Sequence, residues 1–335
     1  MAAVGTILPT MDEDDVVQLH AGHEQHVLDR KVLSKDVRPL MEINSLRALA
    51  ILACQWVVIA IAAAAAIWSG HWAVYLLAML VISSRQNALL NVMHDAIHYR
   101  FLKKYRMGDL ISDLFVGLPL GFATRKYRAH HVAHHRHNGA DGDPDLLCDP
   151  RTASLEACRS TKPASLLASI TTFASRFLHI FKITPWPDLL GLVQTPGVRF
   201  SAVERVLYLC FPLMALAAIA YTQTWFYVIV LWIIPEGFGV GVAMRIRGMA
   251  EHGDLPYTNE LNSTRFVDAN WLERALIAPL NFNYHLQHHL YPGVPHYNLP
   301  RLHKRLMQEP AFREHAVVAT SYFNIKPASH LDSAP

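Results

Sequence analysis

The sequence predicts an all-α polytopic membrane protein: two transmembrane helical hairpins, four spans in all, and a cytoplasmic helical cap holding a histidine-rich metal site. Three observations predict it. Only 17% of the 335 residues are charged while 52% are hydrophobic, whereas about a quarter of an ordinary soluble chain is charged. Two stretches, 48–84 and 207–235, contain no Asp, Glu, Lys or Arg. Histidine is abundant, with 20 copies, many in tight clusters. Other classes are excluded by the same figures. A mean hydropathy of +0.17 is too apolar for a disordered chain, and a net charge of +3 is too small to point to nucleic acid as a partner. The four cysteines (Cys54, Cys148, Cys158, Cys210) form no C-x-x-C pair, and a chain of this length needs no disulfide staples.

Residues 1–45 read as a mobile cytoplasmic tail. They are acidic at Asp12, Glu13, Asp14 and Asp15 and lack a basic-then-apolar signal sequence. A membrane domain follows over 46–310. One helix through 48–84 would be ~55 Å long, far beyond a ~30 Å hydrocarbon core. The polar break Ser69-Gly70-His71 divides it into spans at about 46–68 and 72–90. Thr222-Gln223-Thr224 divides the second stretch into spans at about 204–221 and 225–244. Buried core helices are the competing reading, but Trp68, Trp72 and Trp225 at the span ends suit a bilayer better. The cap comprises 91–203 and 245–310, and 311–335 read as a C-terminal tail.

Charge sets the topology. Neither tight turn carries Lys or Arg, whereas Arg47, Arg85, Arg100, Lys103, Lys104, Arg245 and Arg247 flank the opposite ends. Both hairpins therefore enter from the cytoplasm and return to it, as in a bacterial inner membrane. Residues 114–124 are apolar but too short to cross, so a re-entrant or surface-buried piece is expected. Residues 165–181 place Leu166, Ile170, Phe173, Phe177 and Ile180 at helical spacing. That pattern suits an interfacial helix or a packed helix of the cap.

Three histidine clusters carry the chemistry. His94-Asp95-Ala96-Ile97-His98 is an H-x-x-x-H, and on a helix positions four apart face the same way. Residues 128–137 (RAHHVAHHRH) contain H-x-x-H-H at His131, His134 and His135. A third box of the same form is His285, His288 and His289. A lone histidine on an apolar face is usually a satisfied core residue; eight at such spacings are not. All three boxes fall on the cytoplasmic side of the expected topology, where they can converge. A catalytic zinc needs three protein ligands, so this excess suggests two ions. Imidazole suits iron, copper, zinc or nickel, and ligand type alone does not choose among them.

HDAIH at 94–98, HHVAHHRH at 130–137 and NYHLQHHLYPGVPHYNLP at 283–300, arranged around two hairpins, resemble the membrane fatty acid desaturase and hydroxylase superfamily. The resemblance covers most of 40–310. It implies two iron ions, O2 as co-substrate, and His94, His98, His131, His134, His135, His285, His288 and His289 as ligands. Relatives add a histidine between the last span and the third box, and His252 is the only one in that interval. The family often also uses an asparagine. Asn281 stands four residues before His285 and would share its helical face. In acyl-CoA desaturases that asparagine stands four before the extra histidine, where this chain has Gly248.

Several neighbours carry two readings each. His130 and His137 are either additional ligands or supports beside the metal, or simply solvated. Asp95 is expected to face away from the metals or, in the other reading, to hydrogen-bond a ligand imidazole. Asp143 and Asp145 in GADGDPD resemble an acidic stretch that follows this box in relatives, or form a plain turn. Glu236, inside the fourth span, needs a cavity or a polar partner. Arg125, Lys126, Arg128, Arg136, Arg301, Lys304 and Arg305 would dock an acidic electron donor or polar headgroup, or touch anionic lipid.

The resemblance implies an O2-dependent oxidoreductase that introduces a double bond into an acyl chain of a fatty acid or lipid. The alternatives are a hydroxylase or ketolase acting on a lipid, carotenoid or specialised metabolite and, from another class, a membrane zinc hydrolase. A metal transporter would carry histidines within its spans. No flavin, haem or iron–sulfur motif is evident, so a separate ferredoxin, rubredoxin or cytochrome is the expected electron donor.

Overall fold

The computed structural model describes residues 27–146, 184–192, 194, 195 and 197–325. The amphipathic segment expected at 165–181 lies outside them, as do Cys148 and Cys158. After a short helix, α1 (Arg30–Val37), come two long apolar helices, α2 (Ser45–Ser69) and α3 (Trp72–Ile97). Asn44 caps α2 by accepting a hydrogen bond from Arg47 N–H at 3.0 Å. Gly70 ends it with a φ of 62°, a left-handed turn that suits glycine, and its N–H bonds Ala66 O at 3.1 Å. His71 Nδ1 then accepts Ala73 N–H at 3.2 Å and opens α3, which packs along α2.

Helix α4 (Tyr105–Leu120) meets α5 (Thr124–His137) at 91°, with Gly121 (φ 74°) at the corner. The apolar stretch expected at 114–124 forms this corner. Two indoles hold it: Trp56 Nε1 donates to Phe115 O and Trp232 Nε1 to Pro119 O, each at 3.0 Å. The second long pair is α6 (Ala202–Thr222) and α7 (Trp225–His252). Helix α6 opens on a capping box, Ser201 Oγ accepting Glu204 N–H at 3.2 Å and Glu204 Oε2 accepting Ser201 N–H at 2.7 Å.

These four helices are long and apolar enough to cross a bilayer. Their outer faces are bare: Trp68 is 93% and Tyr221 90% exposed, and α6 exposes Val203, Val206, Leu209, Leu213, Met214 and Leu216. An apolar surface of that extent suits lipid rather than water.

Two helices outrun the expected spans. Helix α3 does not stop near residue 90 but continues to Ile97, because nothing between Trp72 and Ile97 is Gly or Pro. Its second half is enclosed, with Ser83, Ser84, Gln86, Asn87 and Asn91 all buried. Helix α7 likewise continues past 244 to His252, widened by π-helical stretches at Ile229–Ile233 and Pro235–Val240. Both rods therefore carry apolar surface at one end and histidines at the other.

Further elements include α8 (Trp271–Leu276), α9 (His285–Leu290), α10 (Leu299–Leu306), α11 (Pro310–His315) and two short strands, β1 (Phe266–Val267) and β2 (Val318–Ala319). The strands pair in parallel, so the described chain is predominantly, not purely, helical. Neither expected tail boundary matches the packing. Leu28, Leu33, Val37 and Leu40 join Leu286, Leu290, Leu302, Leu306 and Phe312 in one core, and Glu260 Oε1 accepts the N–H of Val27 and Leu28 at 2.8 and 2.9 Å. At the other end β2 and the buried Tyr322 belong to the folded unit. Burying a leucine stabilises by roughly 1.5–3 kcal/mol, so such segments stay attached.

Candidate metal centre

Four helices, α3, α5, α7 and α9, bring nine histidines together. On α9 the division of labour is visible in six residues. Leu286 and Leu290 enter the apolar core, while His285, His288 and His289 turn to the opposite side. On α5, His131, His134 and His135 are buried whereas Arg136 and His137 are exposed. His94 lies on the last turn of α3 and His98 caps it. Arg128 of α5 fixes that end: its guanidinium donates to Ile97 O at 2.9 Å and Ala96 O at 2.8 Å while pairing with Asp109 at 2.5 and 3.0 Å.

The nine divide into two adjoining groups, and in each the potential ligand atoms lie within 4.8 Å of one another. One contains His94, His98, His131, His135 and His288; the other contains His134, His252, His285 and His289. Helix geometry explains the split. The i,i+4 pairs 94/98, 131/135 and 285/289 each stay within one group. The i+3 members His134 and His288 point the other way round their helices and join the other group. The groups share a wall, with the His135 and His289 rings stacked at 4.2 Å.

Nitrogens converge inside each group. His94 Nε2 lies 2.8 Å from His131 Nε2, which is 2.9 Å from His135 Nε2, which is 3.1 Å from His288 Nε2. His252 and His285 approach through Nε2 at 2.7 Å. Two nitrogens each ~2.1 Å from one ion at a right angle would stand ~3.0 Å apart. Neither ring nitrogen of His98 meets a hydrogen-bonding partner among the described residues, although the ring is buried. Buried imidazoles with converging, unsatisfied nitrogens fit a cation.

Protonation agrees. Burial holds His98 down to about 3 and, together with neighbouring imidazoles, keeps His285 and His289 well below their usual 6.5. These rings are neutral at physiological pH, the form that ligates metal.

Carboxylates orient the rings from behind. Asp143 Oδ1 accepts from His134 Nδ1 at 2.9 Å, while its Oδ2 accepts Gly139 N–H at 2.7 Å. Glu251 Oε2 stands 3.5 Å from His285 Nδ1. That carboxylate is gripped by Arg247 at 2.9 and 3.0 Å and by the Tyr322 hydroxyl at 2.9 Å. Burial and the Glu251 carboxylate push the Tyr322 phenol up, so it stays a donor.

Other expected residues fall as follows. His130 is half-buried and meets Asp145 at 3.0 Å, in neither histidine group; His137 is exposed. Asp95 does face away from the nine rings and bonds His296. Asn281 does not share a helical face with His285, because α9 starts only at His285. It adopts a left-handed turn (φ 65°) and donates to His296 O at 3.3 Å. Glu236 is half-buried on α7. Of the basic groups, Arg125 pairs with Glu204, Lys126 with Asp188, Arg128 with Asp109, and Arg305 with Asp36 and Glu309. Those four are structural; Arg136, Arg301 and Lys304 remain exposed.

Sequence reasoning missed Glu251, Arg247, Tyr322 and His296. The Arg247–Glu251 spacing of four beside His252 was a readable signal. Tyr322 and His296 carried none, since both act through contacts distant in the chain.

Apolar helices and a buried polyhistidine cage together define a metal-dependent membrane protein. The sequence profile of the fatty acid desaturase family matches residues 70–322, and the chain belongs to that family. It is 27% identical over 318 residues to the dihydrorhizobitoxine desaturase of Bradyrhizobium elkanii, covering 93% of this chain and 89% of that protein. It is 26% identical to an sn-1 oleoyl-lipid 12-desaturase of Picosynechococcus sp., over 83% of this chain and 82% of the relative. A beta-carotene ketolase of Paracoccus sp. (strain PC1) is 26% identical over 64% of this chain and 74% of its own. These homologues indicate an oxidoreductase.

Proposed function

We propose that this protein is an O2-dependent di-iron desaturase that introduces a double bond into an acyl chain at the cytoplasmic face of the membrane. The observation that carries the reading is the sorting of nine histidines, eight of them buried and His252 half-buried, into two adjoining groups. His94, His98, His131, His135 and His288 would hold one iron, and His134, His252, His285 and His289 the other. Bound there, the pair supplies an oxidant derived from O2 that is strong enough to remove hydrogen from an unactivated C–H bond.

The protein's own residues position and protect. Asp143 accepts the Nδ1 proton of His134 and so leaves the lone pair on Nε2. Glu251, held in place by Arg247 and Tyr322, sets a carboxylate 3.5 Å from His285 Nδ1 on the side away from His252. Enclosure of the rings excludes water from the site. Four apolar helices admit an apolar substrate from the bilayer. Reducing O2 to two waters takes four electrons, of which the substrate gives two. A separate ferredoxin, rubredoxin or cytochrome supplies the others.

Hydroxylation or ketone formation is the second reading, supported by the ketolase among the relatives. Lipid and metabolite profiling of a host expressing the chain or its His134→Ala variant tests the proposal. A new double bond dependent on His134 supports it. A new hydroxyl or ketone group moves the protein to the second reading, and no oxidised product contradicts both.

A further inference from the structure

Neutral imidazoles with converging lone pairs do not attract one another. Before an ion binds, something else must keep the histidine-bearing helices in register. The face of α3 beside His94 and His98 offers a device. Ser84, Asn87, Asn91 and Asp95 recur at spacings of three and four, one stripe along the helix, and all are buried. Each grips the chain flanking α9. The Ser84 hydroxyl donates to Ala275 O, which Arg85 also bonds at 3.0 Å. Asn87 Nδ2 donates to Ile277 O and Asn91 Nδ2 to Pro279 O, each at 2.8 Å.

Asp95 completes the stripe beyond α9. It accepts from His296 Nδ1 at 2.6 Å and from the His296 backbone N–H at 3.3 Å. Asn281 donates to His296 O, joining the approach to α9 to its exit. His296 is 3% exposed and Asp95 5%. His296 Nε2 meets no hydrogen-bonding partner among the described residues, and the ring lies in neither histidine group. The third box is thus tied on both sides to the helix that carries the first.

We propose that the Asp95–His296 pair locks the third histidine box in register with the first before metal binds, His296 acting as a positioning residue. This rests on the metal-centre reading above. It explains why a buried histidine outside the ligand groups sits against the carboxylate between two of them.

The test uses full-length protein in detergent, stripped of metal by a chelator and then reloaded. Amide hydrogen exchange of residues 291–298 is expected to stay slow in stripped wild type and to quicken about 10-fold or more in Asp95→Ala. In reloaded protein, His296→Leu is expected to lower metal retention about 10–100-fold. It should also alter X-ray absorption at the edge of whichever metal is present. His296→Asn, whose amide nitrogen takes the place of Nδ1, is expected to restore both. Exchange that becomes fast in stripped wild type while the helices stay protected would overturn the proposal. So would wild-type absorption and retention in His296→Leu, or His296→Asn as impaired as the leucine variant. Should His296→Leu fail to fold, exchange in wild type decides. None of these readouts needs turnover, so failure of the desaturase reading would show separately, as absence of oxidised product.

Discussion

The two nitrogens of His134 do different work. A carboxylate can only accept, so Nδ1 donates to Asp143 and Nε2 is left with the lone pair. Replacing Asp143 by alanine removes the acceptor that holds the Nδ1 proton and frees the ring to choose the other tautomer. Activity is expected to fall about 10–100-fold, read as product formed per unit of membrane-inserted protein. His134→Ala, His98→Ala and His288→Ala each remove a ring from the cage and are expected to abolish turnover with insertion intact. Full activity in any of them removes that residue from the ligand set. Acid acts on the same rings. Folded His98 protonates only near pH 3, and His285 and His289 well below 6.5, whereas unfolded histidine takes a proton at about 6.5. The unfolded state therefore binds more protons in acid. Stability of the metal-free protein is fully present above pH 6.5 and is lost as pH falls toward 3. Melting temperatures of stripped protein at pH 7.5 and 5 check this; equal values would contradict it.

At the scale of elements, α9 is six residues long and cannot persist on propensity alone. Its geometry is imposed by Leu286 and Leu290, both wholly buried among α1, α10 and α11. Leu286→Ala is expected to destabilise the protein by about 2–5 kcal/mol, measured by thermal unfolding, and to release metal on the same transition. Metal retained through that transition would show that α9 is held from elsewhere. The long helices were legible because twenty uncharged residues have few other uses and because polar breaks at Ser69-Gly70-His71 and Thr222-Gln223-Thr224 divide them. Their inner ends were not. The expected span ended near residue 90, and only tertiary contact of Asn87, Asn91 and Asp95 with 275–296 shows the helix continuing, buried, to Ile97. The strand at Val318–Ala319 is two residues long and has no pattern to detect.

Over the whole molecule, the two uncharged stretches with their polar breaks anticipated four long apolar helices, and the histidine boxes anticipated one convergence of histidines. The spacing rule also held the partition within it, since i+4 partners stay together and i+3 partners part. The segments at both ends were misjudged for one reason. Their apolar residues, such as Leu33, Val37, Phe312 and Tyr322, are sparse and gain meaning only against α9 and Glu251. If the two histidine groups cage a pair of irons, metal analysis of protein purified from iron-replete cells finds about two irons per chain, lost together in His135→Ala, whose ring lies on the wall between the groups. A single zinc per chain, retained by the His135 variant, would overturn the di-iron assignment.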